Sequence, residues 1–346
     1  MIVKENIPLA GLTSFGVHAS AKYFASFTSA GELNELAALK PFSGKAVPMI
    51  VLGGGTNVLF TKNYPGLVLH NEIMGIKIIK EDQHHIYLHA GAGENWHQLV
   101  IHCVKNDYAG MENLSLIPGR VGASPMQNIG AYGVELKDIF FSLEAFHIHD
   151  RKIVNFSLND CQFGYRESVF KGKYKDQFII TGVTYRLNKT PVFNTSYGAI
   201  NMELEKMNIS ELTIQAISQA VMNIRTGKLP DPVKLGNAGS FFKNPIISAD
   251  AYSRLKETFP TIPGYASGND DIKLAAGWLI EQCGPKQGVS WKGYRHGEAG
   301  CYEKQSLVLV NYGNASGHDI LELSNQIKAS VLGKFAVKLE IEVNII

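Results

Sequence analysis

Cysteine is scarce in this chain: four residues among 346, Cys103, Cys161, Cys283 and Cys301, lie far apart and never form a Cys-x-x-Cys pair. That spacing excludes a disulfide framework and a cysteine zinc cluster, so four buried thiols in a reducing compartment are expected, with no metal site. A surplus of one charge is missing too. The 33 basic and 31 acidic residues are interleaved and leave a formal net charge of only +2. Nothing here suggests a nucleic-acid partner, and any anion must be met by local groups. No stretch approaches the ~20 continuous apolar residues that cross a bilayer. The segment Met1 to Asn6 has no apolar signal core, so a cytoplasmic protein without membrane insertion is expected. Internal repeats and low-complexity tracts are also lacking.

What is present is a globular composition, 45% hydrophobic and 18% charged. The length exceeds the roughly 250 to 300 residues at which a single core stops growing, so two or three domains are expected. Ala21 to Phe27 reads as a strand, and Ser29 with Glu32 forms a capping box for a helix through Leu33, Leu36 and Leu39. Met49 to Leu52, Val58 to Phe60, Leu67 to Leu69 and Ile86 to Ala90 read as further strands. A helix follows with Trp96, Leu99, Val100, Cys103 and Val104 on one face. Phe140 to Leu187 alternates as antiparallel strands, and Ser210 to Arg225 reads as a helix ended by Gly227 and Pro230. The rigid Leu229-Pro230-Asp231-Pro232 connector places a domain boundary near Arg225. Beyond it helices are expected to dominate, at Ala249 to Phe259, Leu274 to Cys283 and Asp319 to Leu332, with one strand at Leu307 to Val310. The final Val337 to Ile345 alternates as a half-buried strand.

Three glycine-rich runs carry the chemical information. Gly53-Gly54-Gly55-Thr56-Asn57 has no helix after it, and Gly91-Ala92-Gly93-Glu94-Asn95 has Trp96 where a third glycine belongs, so neither is a Rossmann fingerprint. Taken alone each is an ordinary tight turn. The third run, Ile117 to Gly133, contains four glycines and two prolines and no periodic face. Such a loop is expected to leave many backbone N–H groups open to phosphate.

The run Gly53 to Leu59, with Ile117-Pro118-Gly119 and Gln127 to Gly133, resembles the UDP-N-acetylenolpyruvoylglucosamine reductase family. The resemblance continues through Cys161 to Ser168, Gly236 to Pro245, Leu274 to Ile280 and Glu342-Val343, in order along nearly the whole chain. It implies an α+β fold: a two-part FAD-binding region of the vanillyl-alcohol-oxidase (PCMH-type) superfamily and a C-terminal α+β substrate-binding domain. The expected division is 1–72, rejoined by the C-terminal strand 337–346, then 73–224, then 225–336. A monomer is implied as well.

By that resemblance Gly53, Gly54, Gly55, Thr56 and Asn57, with Pro118, Gly119, Ser124, Gln127, Asn128 and Gly130, hold FAD through backbone N–H groups and the Ser124, Gln127 and Asn128 side chains. Arg166, Ser240 and Glu342 match the catalytic residues, and Tyr197, Lys228, Asn244, Tyr265, Lys286 and Gln305 match contacts to the nucleotide sugar. Each has a plainer reading: an ion pair with Glu167 for Arg166, a turn residue for Ser240, a solvated strand face for Glu342, a surface aromatic for Tyr197. The lysines make independent sense beside a diphosphate. The implied reaction uses NADPH and UDP-N-acetylglucosamine enolpyruvate: hydride passes by way of flavin N5 to C3, Arg166 and Glu342 stabilise or orient the charge at C2, and Ser240 protonates C2. A sugar or alcohol oxidase on the same fold is the alternative, and a nucleotide-sugar-binding protein or hydrolase the more distant one. Arg120, Tyr302, Ile341 and Asn344 depart from the family pattern, and a local rearrangement is expected at Arg120.

Overall fold

The computed structural model describes residues 2–38, 47–268 and 270–346. Contacts gather the chain into two compact units, Met1–Ile7 with Ala21–Gly55 and Pro65–Gly227, and Pro8–Ser20 with Thr56–Tyr64 and Lys228–Ile346.

In the first unit, one sheet has the strand order Lys4–Pro8, Ser20–Phe27, Tyr64–Asn71, Met49–Leu52, the last two parallel. The helix Ala30–Ala38 packs Leu33 and Leu36 with Phe27, Leu67 and Leu69; Leu39, expected on the same face, lies outside the described residues. Its N-terminal cap is displaced by one residue from the expected box. Ser29 accepts the Glu32 N–H at 3.3 Å, but the Glu32 carboxylate reaches back to the Thr28 N–H at 2.6 Å.

A second, five-stranded antiparallel sheet has the order Lys152–Ser157, Phe140–His147, Phe178–Asn188, His85–Gly91, Ile76–Glu81. The edge strand Ile76–Glu81 escapes sequence reading because nearly all of its residues are exposed, so alternation carries no burial signal. Helix Trp96–Lys105 starts where the Asn95 side chain accepts the Gln98 N–H at 3.0 Å. It buries Trp96, Leu99, Val100, Cys103 and Val104 in one cluster with Leu88, Leu143, Val183 and Tyr185. Each large apolar side chain so buried stabilises the unit by roughly 1.5 to 3 kcal/mol, which fixes this helix and the glycine-rich turn before it.

Two further helices, Gly198–Lys206 and Ile214–Lys228, share a cluster of Ile200, Leu204, Ile217, Val221 and Ile224. The first was not expected. The second begins later than Ser210 because Thr213 caps it, accepting the Ala216 N–H at 3.0 Å. It also runs through Gly227, leaving Pro230 as the residue that cannot continue it.

The second unit holds more strand than expected. Gly236–Ser240, Gln305–Asn311, Ala299–Tyr302 and Arg295–His296 form one sheet, and Ile246–Ser248, Asp271–Leu274 and Gly264–Ala266 another. Most are too short to display a period of two, which is why helices dominated the sequence reading. Leu274, expected to open a helix, ends a strand, and the helix is only Ala276–Glu281. The long helix Gly317–Phe335 has a reciprocal Ser316/Asp319 capping box and ends at Ala336 in the left-handed region, φ 54°. Phe15, Phe241 and Phe242 are buried, with ring centroids 6.2 Å apart for Phe15 and Phe241 and 5.3 Å for Phe241 and Phe242.

The terminal segment corrects another expectation. Its alternation survives, with Val337, Leu339 and Val343 buried, but the ladder is reduced to a Phe242–Ile341 bridge and a parallel pair of Asn344–Ile345 with Val58–Leu59. Among the described residues no helix is long and apolar enough to cross a membrane.

Candidate active site

The three glycine runs come together by backbone packing in the first unit. A Cβ built on Gly93 would lie 2.7 Å from the Glu72 and Ile73 backbone, one on Gly122 would lie 2.6 Å from Ala92 Cβ, and one on Gly53 would lie 3.2 Å from Arg120 Cβ. Any side chain at Gly93 or Gly122 would force these segments apart. Gly55 at φ 60° and Gly119 at φ 124° adopt backbone conformations that side-chain-bearing residues rarely reach.

The expectation of a loop with many open N–H groups is corrected. Gly91, Ala92 and Gly93 donate to Gly75, Thr181 and Ile73 carbonyls, and Val121, Gly122, Ala123 and Ser124 donate to Glu94, Ala92, Arg120 and Val121 carbonyls. The loop folds into a short 3-10 turn, Val121–Ala123, and a small hairpin, Gly130–Ala131 with Val134–Glu135. Its side chains are committed inward as well. The Ser124 hydroxyl donates to the Val121 carbonyl at 2.7 Å. Asn128, fully buried at φ 43°, donates to Glu135 and to the Gly164 carbonyl, both at 3.0 Å, and accepts the Lys137 N–H at 3.0 Å. Both amide protons of Asn128 are therefore spent inside the protein, and its side chain is a strut of the loop. Gln127 is half-buried and Pro118 exposed.

Arg166 is half-buried at φ 56° and donates from Nη2 to the Gly130 carbonyl at 2.8 Å, which ties it to this loop. Near it lies Arg225, whose Nε donates to the Leu116 carbonyl at 3.2 Å and whose guanidinium is hydrogen-bonded to Tyr132. Burial pulls Arg225 below the ordinary arginine range; Tyr132 opposes that shift and the Arg166 charge adds to it. Arginine nonetheless stays protonated in proteins, so two like charges are held close together. Tyr132 packs edge-on against Tyr197 at 5.2 Å, and Tyr197, 48% exposed, opens the helix Gly198–Lys206. Sequence reading took Arg225 as the end of a helix near a domain boundary and gave Tyr132 no role. The signal was weak, since each stands far along the chain from Arg166. Leu116, Asn128, Tyr132, Gln162 and Arg166 all have positive φ without being glycine, and such clusters of backbone strain gather at functional sites.

In the second unit, Ser240 ends a strand just after Gly239 at φ 69°, where the Asn237 side chain accepts the Gly239 N–H at 2.9 Å. The next residue, Phe241, accepts the Glu342 N–H at 2.9 Å, so Ser240 and Glu342 sit on adjoining extended segments. Glu342 is half-buried while Lys338, Glu340 and Asn344 are exposed, which sets it apart from the solvated face that its alternation suggests. The Asn57 side chain donates to the Glu342 carbonyl at 3.4 Å. Asn344 supports the same arrangement by donating its N–H at 3.1 Å and its side chain at 2.9 Å to the Asn57 carbonyl.

Asn244 and Gln305 meet at the helix Ala276–Glu281. Asn244 Oδ1 accepts the Ala276 N–H at 3.0 Å, and Gln305 lies across Gly277, where an added Cβ would stand 2.8 Å from Oε1. Lys228, Tyr265 and Lys286 are exposed on separate segments of this unit. Thr56 is half-buried beside Asn57, and Gly54 half-buried beside Gly53.

At Arg120 the departure from the family pattern is absorbed locally: its guanidinium donates to the Gly93 carbonyl and its stem covers Gly53. Ile341 bridges Phe242, and Tyr302 pairs with Gln305 across a tight turn. Among the described residues no group of three or more histidine, cysteine or acidic side chains could hold a metal ion.

Residues 231–346 match the family model for the UDP-N-acetylenolpyruvoylglucosamine reductase C-terminal domain, and residues 22–157 match an FAD-binding domain. The chain is 50% identical over 346 residues to a UDP-N-acetylenolpyruvoylglucosamine reductase of Amoebophilus asiaticus, covering 100% of both chains. It is 46% identical over 347 residues to the reductase of the same description from Flavobacterium johnsoniae, again covering 100% of each. The crystal structure of UDP-N-acetylenolpyruvylglucosamine reductase from Thermus caldophilus shares the fold, with a TM-score of 0.68 at 23% identity over 99% of both chains. On the full-length identity of these relatives, the chain belongs to the UDP-N-acetylenolpyruvoylglucosamine reductase family.

Proposed function

We infer that Arg166, Ser240 and Glu342 carry the family reaction in this chain. As a family member the chain is an enzyme, an FAD-dependent oxidoreductase with NADPH as cosubstrate. It reduces UDP-N-acetylglucosamine enolpyruvate to UDP-N-acetylmuramate in peptidoglycan precursor synthesis.

The residues present fit FAD. Gly53, Gly93 and Gly122 let the glycine-rich segments pack closely on one another, and we propose that the backbone they present, with the Gly53–Asn57 turn that no helix follows, forms the cradle. With so many amides of 91–93 and 121–124 engaged internally, we assign the cofactor contacts to Gly53 to Asn57, Pro118, Gly119, Gln127, Asn128 and Gly130, through backbone at Asn128, with Ser124 supporting the loop. When bound, FAD supplies the hydride relay between NADPH and C3 of the enolpyruvyl group.

Arg166, with Arg225 beside it, faces the developing negative charge at C2 and the neighbouring carboxylate; guanidinium is permanently protonated and forms forked hydrogen bonds to such groups. Ser240 donates the proton to C2, and Glu342, held from its backbone by Phe241 and Asn57, orients that group. A hydroxyl is a weak acid, but its acceptor is a strong base and its placement is preset. Tyr197, Lys228, Asn244, Tyr265, Lys286 and Gln305 are the proposed contacts to the nucleotide sugar, the lysines meeting its diphosphate. We place the activity in the cytoplasm and propose a monomer. The three-part division 1–72 with 337–346, 73–224 and 225–336 is likewise a proposal, supported at its last step by the pairing of Asn344–Ile345 with Val58–Leu59.

The observation that carries the mechanism is the neighbouring pair Arg166 and Arg225, the first tied to the Gly130 carbonyl and the second, from the helix Ile214–Lys228, to the Leu116 carbonyl. Arg166→Lys is expected to accept hydride from NADPH at the normal rate and to slow transfer to the enolpyruvyl sugar by roughly 10² to 10³-fold, as for loss of one preorganised donor. Anaerobic stopped-flow flavin absorbance separates the two. Equal slowing of both halves would assign Arg166 to flavin placement instead.

A further inference from the structure

The helix Trp96–Lys105 carries His97 in its first turn, and His97 Nδ1 lies 3.0 Å from the Leu116 backbone nitrogen. A backbone N–H can only donate, so Nδ1 must accept, and the imidazole is neutral with its proton on Nε2. Leu116 is left-handed at φ 58°, a conformation disfavoured for a side-chain-bearing residue. It is held from both sides: His97 takes its N–H, and its carbonyl takes the Arg225 Nε–H at 3.2 Å.

We propose that His97 is a pH-sensitive positioning residue: in its neutral form it fixes Leu116, and through the Leu116 carbonyl it aims Arg225. This rests on the reading that Arg225 belongs to the cationic centre with Arg166. His97 touches no reacting atom. Protonation turns Nδ1 into a donor facing a donor, breaking the bond to Leu116, and sets a second cation beside Arg225.

The groups around the ring support the neutral state. Burial is the main cause that lowers the His97 pKa below the ordinary histidine value, and Arg225, from the helix Ile214–Lys228, lowers it further. Beyond Arg225 stand Tyr132 of the loop and Arg166. On the turn Glu112–Leu114, burial raises the Glu112 pKa, and its carboxylate is engaged by the Gly110 N–H at 2.6 Å. On its own helix His102 and Lys105 lie in the last turn. The sign follows: the competent neutral form prevails at neutral pH, and function is lost as pH falls through the lowered pKa.

The test uses FAD-loaded enzyme and the pH profile of kcat/KM for the enolpyruvyl sugar, for wild type, His97→Ala and His97→Asn. The asparagine Oδ1 can stand where Nδ1 stands and does not titrate. His97→Ala is expected to lose about tenfold at neutral pH, the size of one neutral hydrogen bond. His97→Asn is expected to recover most of that loss and to lack the acid limb of the wild type. Equal impairment of both variants, or a wild-type acid limb in His97→Asn, overturns the proposal. If His97→Ala does not fold, the acid limb of His97→Asn against wild type decides alone. Arg225→Gln, measured in parallel, separates the two layers: an unchanged kcat/KM there refutes the place of Arg225 in the centre, whereas a large loss there with an unaltered His97→Asn profile refutes His97 alone.

Discussion

Replacing Asn128 by alanine separates a structural strut from a ligand contact. The side chain makes three hydrogen bonds, to Glu135, to the Gly164 carbonyl and from the Lys137 N–H, each at 3.0 Å, and it is fully buried. At about 1 kcal/mol net for each bond, their loss costs about 3 kcal/mol. Alanine must also adopt φ 43°, which adds about 1 kcal/mol. The expected destabilisation is therefore roughly 3 to 4 kcal/mol, or on the order of 10 °C in the unfolding midpoint of a domain of this size. The decisive sample is apoprotein, from which FAD has been removed, followed by circular dichroism through a thermal ramp. A cofactor contact would leave apoprotein stability unchanged and weaken only FAD binding. An apoprotein midpoint within about 1 °C of wild type would refute the strut and return the Asn128 side chain to the cofactor.

The protein is expected to purify with FAD rather than FMN, because the proposed cradle spans more backbone than one phosphate needs; extraction and chromatography of the pigment check it, and recovery of FMN alone contradicts it. Ser240→Ala should accept hydride from NADPH normally but lose about 10² to 10⁴-fold in turnover of the enolpyruvyl sugar, seen in the two phases of a stopped-flow trace. Lys228→Ala should raise the KM for the nucleotide sugar roughly ten- to hundredfold, the loss of a charge-assisted contact of about 1.5 to 3 kcal/mol, without changing flavin content.

How much could be read beforehand depended on burial and on distance along the chain. Helix Trp96–Lys105 was legible because five buried residues repeat at helical spacing, and the strands Phe140–His147 and Phe178–Asn188 because their apolar residues meet a real core. Ile76–Glu81 was not, since an exposed edge strand has nothing to alternate against. Arg295–His296 and Ile246–Ser248 are too short to show any period. In the candidate site, the family resemblance picked out Arg166, Ser240 and Glu342 as candidates but could not indicate that the Asn128 amide is spent on Glu135 and Gly164. Nor could it bring Arg225 beside Arg166, or find the left-handed Leu116 between His97 and Arg225, because those relations arise only when the loop folds onto the helices.

The most direct test of the whole account is NADPH consumption by the purified protein, oxygen excluded, with and without UDP-N-acetylglucosamine enolpyruvate. The account predicts oxidation that depends on the enolpyruvyl sugar and yields an equimolar amount of UDP-N-acetylmuramate. Turnover that instead requires oxygen and proceeds without that sugar would identify an oxidase on the same fold and contradict it.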